Sequence, residues 1–143
     1  MRKAARGYIA SGALNGSRTP QHLQNQIIKS YCESNQLIFV LSRAEYWING
    51  NTKCQLWAAL KEKYQNIVFF TLWQMPVNAE ERIEIYEYCI KNNITLHFAT
   101  ERMSTTGTVS DFNDLELLIQ SNLIISEDDH YWDYLGTLKE IIS

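Results

Sequence analysis

The sequence predicts an α/β domain built on an open parallel sheet, and three observations predict it. Four short apolar runs, at residues 7–11, 37–41, 67–73 and 94–99, are rich in β-branched and aromatic side chains. A segment with helical spacing separates each run from the next. The chain has 143 residues, 45% of them hydrophobic, which supplies one core and not two. This alternation implies three layers, with helices on both faces of the sheet and strand order 2-1-3-4. A single domain over 1–143 is expected, with a core at 6–103 and a helical tail at 104–143.

The first run ends in Ser11 and leads into a loop, 12–18, that is rich in turn formers. Thr19 and Pro20 suit the N-cap and first position of a helix. Leu23, Ile27, Ile28 and Tyr31 form its apolar stripe, and Gln21, Gln24, Asn25 and Lys29 its polar face. The second run is continuously apolar and reads as a strand buried on both faces. A helix over 54–64 follows, with Leu56, Ala59, Leu60 and Lys63 at helical spacing. The third run is broken by Pro76. Asn78 then caps a helix, with Glu81 placed for a capping box and an inner face of Ile83, Ile85, Tyr86 and Ile90. After the fourth run, Ser110 is expected to cap a helix through Leu115, Leu118 and Ile119, and 128–142 reads as a last helix.

Composition narrows the function. The net charge of −3 disfavours phosphate-neutralising binding, so nucleic acid is not expected as a partner. The cluster Arg2, Lys3 and Arg6 reads as a solvated end. Cys32, Cys54 and Cys89 form no CxxC pair and signal neither disulfide nor metal site. No cofactor is signalled. No run approaches the length of a membrane span, and residues 1–8 lack a signal-peptide core, so a cytoplasmic location is expected.

In open parallel sheets, ligands bind outside the carboxyl ends of the strands. Those ends carry Ser11, Ser42, Arg43, Glu45, Tyr46, Trp73, Gln74 and Glu101. The loop adds Asn15, Ser17 and Arg18, with Gly12 and Gly16 allowing close backbone approach. Ahead of a helix N-terminus, such a loop suits an anionic group. Its spacing matches neither a Walker loop nor a dinucleotide fingerprint. Glu45, His22 and Glu101 are candidate acid/base groups, with Arg18 and Arg43 as anion clamps. Glu45 and Glu101 are equally placed for plain ion pairs with Arg43 and Arg102. Gln21 and Asn25 are candidate hydrogen-bonders to a polyhydroxylated ligand, and Trp73 could floor a sugar ring. His97, inside a strand, reads as a satisfied core histidine. This scheme requires Arg18, Glu45, Gln74 and Glu101 to share one neighbourhood.

Two resemblances attach to these residues. The layout over 7–102 resembles the catalytic domain of serine recombinases, a resolvase-like variant of the flavodoxin-like arrangement. Those enzymes open on Tyr-x-Arg-x-Ser; here Tyr8-Ile9-Ala10-Ser11-Gly12 has Ala10 at the arginine position and Gly12 at the serine. Their Arg-Leu-x-Arg motif corresponds to Trp73-Gln74-Met75-Pro76. The resemblance implies the fold without DNA strand exchange. The stretches GYIAS, PQHLQN, LSRAEYW, LWQMP and LHFATE, within 6–103, resemble a small-protein family of bacterial surface-carbohydrate gene clusters, those for lipopolysaccharide O-antigen and capsule. That resemblance implies an accessory protein, an enzyme on a sugar or sugar phosphate. The alternatives are a scaffold for a pathway enzyme, docking through Tyr131, Trp132, Tyr134 and Leu135, and a degenerate recombinase-like DNA-binding domain. Recombinase-type domains often self-associate, so a homo-oligomer is a further expectation.

Overall fold

A computed structural model describes residues 3–11, 19–45, 53–62, 64–105 and 107–126, with side chains to residue 121. The elements are β1 (Lys3–Ala10), α1 (Gln21–Ser34), β2 (Leu37–Glu45), α2 (Cys54–Lys61), β3 (Asn66–Phe69), a 3-10 turn (Leu72–Gln74), α3 (Ala79–Asn92), β4 (Thr95–Phe98), β5 (Met103–Ser104) and α4 (Val109–Ser126). The sheet order is β2-β1-β3-β4-β5. The first four strands run parallel, as the alternation implies, and β5 adds an antiparallel edge to β4. A strand of two residues has no periodicity to read, which is why the sequence did not announce it.

Alternation in the central strands divides the core. Tyr8, Ile67, Phe69, Leu96 and Phe98 face the layer of α2, α3 and α4, where they meet Leu56, Leu60, Ile85, Cys89, Leu115 and Ile119. Ala5, Ile9, Val68, Phe70 and Ala99 face α1, where they meet Ile28 and Cys32. Helices therefore cover both faces, with α4 belonging to the larger core. The Phe69 ring meets Tyr8 edge to face at 5.1 Å between centroids and lies tilted against Phe98 at 4.9 Å, so this row of rings spans three strands.

Several expectations are corrected. β2 is an edge strand, with Ile38 50% and Leu41 76% exposed, so its apolar run is not buried on both faces. Pro20 sits one residue outside α1 in extended backbone (φ −55°, ψ 142°). The inner stripe of α1 is Gln24, Ile28 and Cys32, while Leu23 and Ile27 are exposed. The inner face of α3 is Arg82, Ile85, Tyr86 and Cys89, and Ile83 faces out. Arg82 is buried because it forks onto Glu116 of α4 (2.8 and 2.7 Å) and donates to the carbonyls of Pro76 and Val77. Asn78 caps α3 as expected, accepting from Glu80 N at 2.8 Å. Glu81 does not close the box; its Oε1 accepts from Lys53 N and Trp57 Nε1. Thr108, not Ser110, caps α4 through Asp111 N at 3.2 Å.

Between Arg6 and Tyr8 the pairing of β1 with β2 slips: Arg6 meets Val40, but Tyr8 meets Arg43. The extra residue in β2 is a bulge opposite Gly7. A Cβ at Gly7 would collide with the Ser42 side chain and lie 2.9 Å from the Phe39 ring, so only glycine fits there.

Candidate functional site

The carboxyl edge of the sheet is stitched by one hydrogen-bonded chain. Glu45 Oε2 accepts from Tyr8 Oη (2.9 Å) and from Gln55 N and Leu56 N in the first turn of α2 (2.9 and 3.1 Å). The carboxylate thus caps a helix dipole and a buried phenol. Burial and the adjacent Glu45 charge push the Tyr8 hydroxyl far above its ordinary range, so it stays protonated. From Tyr8 the chain continues: its carbonyl accepts from Gln74 Nε2 (3.0 Å), and Gln74 Oε1 accepts from Thr71 N (3.0 Å). Thr71 Oγ1 then donates to Glu101 Oε2 (2.6 Å), while Leu72 N donates to Glu101 Oε1 (3.0 Å).

Two more polar residues complete this frame. Gln24, fully buried, accepts from Ala10 N and donates to the carbonyls of Ala10 and Thr19. It finishes the hydrogen bonding of β1 where the sheet ends, which is why a polar side chain sits in the α1 core stripe. Ser11 donates both N–H and Oγ to the Glu45 carbonyl (3.0 and 3.2 Å).

The edge therefore gathers the expected residues but occupies them. Glu45 and Glu101 do not meet: Glu45 is held by Tyr8 of β1 and the first turn of α2, and Glu101 by Thr71 and Leu72 just beyond β3. Gln74 is buried, with its amide spent on backbone. Arg43 does not meet Glu45: it pairs with Glu62 (2.9 Å), which also receives Arg6 (2.8 Å). Burial opposes ionisation of Glu62, but the bonds from Arg43 and Arg6 hold its carboxyl below the usual range. Ser42 donates to Asn25 Oδ1 (2.6 Å), pinning β2 to α1. Gln21 and His22 are exposed on the first turn of α1, and Trp73 packs partly buried against the α1-side core. Asn15, Ser17, Arg18, Tyr46 and the tail aromatics lie outside the described residues.

Sequence reading missed Lys53. It is buried where α2 begins, and burial lowers its ammonium to about 8 against the opposing pull of Glu45 and Glu81. Its only local signal was its place one residue ahead of a helix, where a cation is disfavoured.

A second concavity lies beside α1. A groove of about 520 Å3 runs between α1 (Ile27, Ser30, Tyr31, Ser34) and the β4–β5 connection (Ala99, Arg102). Arg102 sits there in left-handed backbone, φ 54°. Tyr31 Oη meets His97 Nδ1 at 2.7 Å, and His97 Nε2 meets Asn66 Oδ1 at 2.9 Å. With Asn66 Oδ1 assigned toward Nε2, the tautomer that pairs both ring nitrogens has the proton on Nε2 and Tyr31 donating to Nδ1, and the Tyr31 oxygen also accepts from Ser104. Burial pushes His97 down to about 4, so the ring is neutral near pH 7 and satisfied, as expected for a core histidine.

The fold resembles that of recombinase catalytic domains, a resolvase-like α/β arrangement. The chain is similar to the N-terminal catalytic domain of TP901-1 integrase at TM-score 0.62 and 12% identity, over 90% of this chain and 100% of that one. It is similar to a resolvase family site-specific recombinase from Streptococcus pneumoniae at TM-score 0.61 and 11% identity, over 99% of this chain and 100% of the other. No family model and no curated protein sequence matches the chain. These neighbours overturn the exclusion of nucleic acid as a partner: one is an integrase and the other a site-specific recombinase, so the charge of −3 does not decide the matter. They lend no support to the surface-carbohydrate role. No helix among the described residues is long and apolar enough to cross a membrane.

Proposed function

We propose that this chain is a resolvase-fold protein that engages DNA without carrying out strand exchange. The observation that supports the reading is the likeness of its fold, over 90% of the chain or more, to the catalytic domain of an integrase and to a site-specific recombinase. The second half of the reading comes from the arginines. Phosphoryl transfer requires cations poised around the transferred group. Among the described residues, Arg6 and Arg43 are held by Glu62, Arg82 is held by Glu116, and Arg102 opens on the groove beside α1. Ser11 gives its hydroxyl hydrogen to a backbone carbonyl rather than to a general base.

The test is fluorescence anisotropy of a labelled DNA duplex across salt concentrations. We expect association at low salt that weakens steeply as salt rises, with a slope of only a few phosphate contacts. Incubation with supercoiled plasmid is expected to give no nicked product and no covalent protein–DNA adduct. No retention of duplex at low salt sinks the DNA reading, and an adduct through Ser11 sinks the non-catalytic one.

A further inference from the structure

Where α2 ends against β1 and β2, the surface carries more cation than the fold balances. The buried cations among the described residues are matched or outnumbered by acids: Arg82 meets Glu116 one to one, and Lys53 feels both Glu45 and Glu81. Here two guanidinium groups share one carboxylate. Arg6 and Arg43 reach Glu62, the residue that follows α2, at 2.8 and 2.9 Å. Both Nε atoms donate to the same Oε1 (3.1 and 2.9 Å), so they can be no farther apart than those two lengths together. Other contacts fix each fork. Arg6 lies over the Tyr64 ring, 5.0 Å from its centroid, and donates through Nη1 to the Leu41 carbonyl. Arg43 donates through Nη1 to Gln55. A guanidinium has five N–H groups. Arg43 uses Nε and Nη1, so its Nη2 has no acceptor among the described residues, and its side chain is 34% exposed. Lys61, exposed in the last turn of α2, adds a third cation next to Glu62 in the chain. A protein of net charge −3 meets a polyanion through a local excess of this kind.

Resting on the DNA reading above, we propose that the Arg6–Arg43 pair holds a backbone phosphate of duplex DNA. The phosphate oxygens take the open Nη2 of Arg43 and the spare Nη hydrogens of Arg6. Glu62 keeps the two forks in register, which leaves little side-chain freedom to lose on binding. It also faces the phosphate as a like charge, so it positions the arginines and weakens the contact at once. The contact fixes the protein on the duplex and reads no base.

The experiment is fluorescence anisotropy of a labelled duplex across salt concentrations, with the full chain and three variants. Arg43→Gln should weaken association about fivefold at low salt and lower the salt slope by about one phosphate contact. Glu62→Gln should act in the opposite direction and tighten association about threefold, because its amide oxygen still accepts from an arginine but carries no charge. Lys29→Gln, on α1 over Phe39 at the other face of the sheet, removes the same unit of charge and should change affinity less than about twofold. Circular dichroism and urea unfolding verify that each variant is folded. If the wild type retains no duplex at low salt, the DNA reading fails and takes this proposal with it. If the wild type binds, three results overturn this surface alone: Arg43→Gln leaves affinity and slope unchanged, folded Glu62→Gln fails to tighten binding, or Lys29→Gln weakens it as much as Arg43→Gln.

Discussion

The carboxyl edge of the sheet and the groove beside α1 contain similar side chains in opposite states. At the edge, Glu45, Gln74, Glu101 and Gln24 each meet backbone or buried hydroxyl groups, and their polar atoms are engaged in holding strand ends and helix starts. In the groove, hydroxyls and a guanidinium line open space. Residue type alone did not distinguish the two. What distinguishes them is whether the fold has already used their hydrogen-bonding capacity, and that decides which region can still bind something.

The comparison can be broken at the edge first, where the largest effect is expected. Gln24→Leu strips Ala10 of both backbone partners and should cost about 4 kcal/mol in urea unfolding, since each orphaned buried group costs roughly 1–3 kcal/mol. A loss below about 1 kcal/mol would mean the edge is not a frame. Next comes pH. The folded His97 titrates near 4, below its unfolded value of 6.5, so the unfolded chain binds the proton first as pH falls. Stability from this group is complete above about 6.5 and declines between 6.5 and 4, by at most about 3 kcal/mol. Unfolding curves at pH 7 and pH 4.5 for wild type and His97→Gln check this, the variant losing less on acidification. Glu101→Gln keeps an acceptor for either Thr71 or Leu72 and should cost about 1 kcal/mol. The smallest effect is expected in the groove: Tyr31→Phe should change stability by less than about 1 kcal/mol, because its hydroxyl is half in solvent-facing space. A larger loss than that of Glu101→Gln would reverse the contrast between the regions.

Much of the fold was legible because short apolar runs and helical spacing are local signals. The four parallel strands, their order and the Asn78 cap all follow from neighbours in sequence. The misread positions depend on distant partners. Gln24 looks polar in a periodicity count, yet burial favours it because β1 ends with unpaired backbone exactly one side chain away. Arg82 takes a core position because Glu116, far along the chain, meets it there. β2 reads as central because an apolar run does not state whether both edges are paired. The site was legible in part: Ser11, Glu45, Gln74 and Glu101 do lie at the strand ends, as their places in the sequence imply, but the sequence did not state that their polar atoms are engaged with backbone groups, those of Glu45, Gln55, Leu56, Tyr8, Thr71 and Leu72. The groove and the Tyr31–His97–Asn66 relay were invisible, since Tyr31, Asn66, His97 and Arg102 come from four separate segments.

The slipped pairing opposite Gly7 acts as a half-turn inserted into β2. Before it, Leu37 and Phe39 look toward α1; after it, Ala44 does, a change from odd to even numbers. In an unbroken strand, Glu45 would project toward α1 and leave the first turn of α2 without its acceptor. One surplus residue, made room for by one missing Cβ, thus decides which layer of the molecule receives a negative charge.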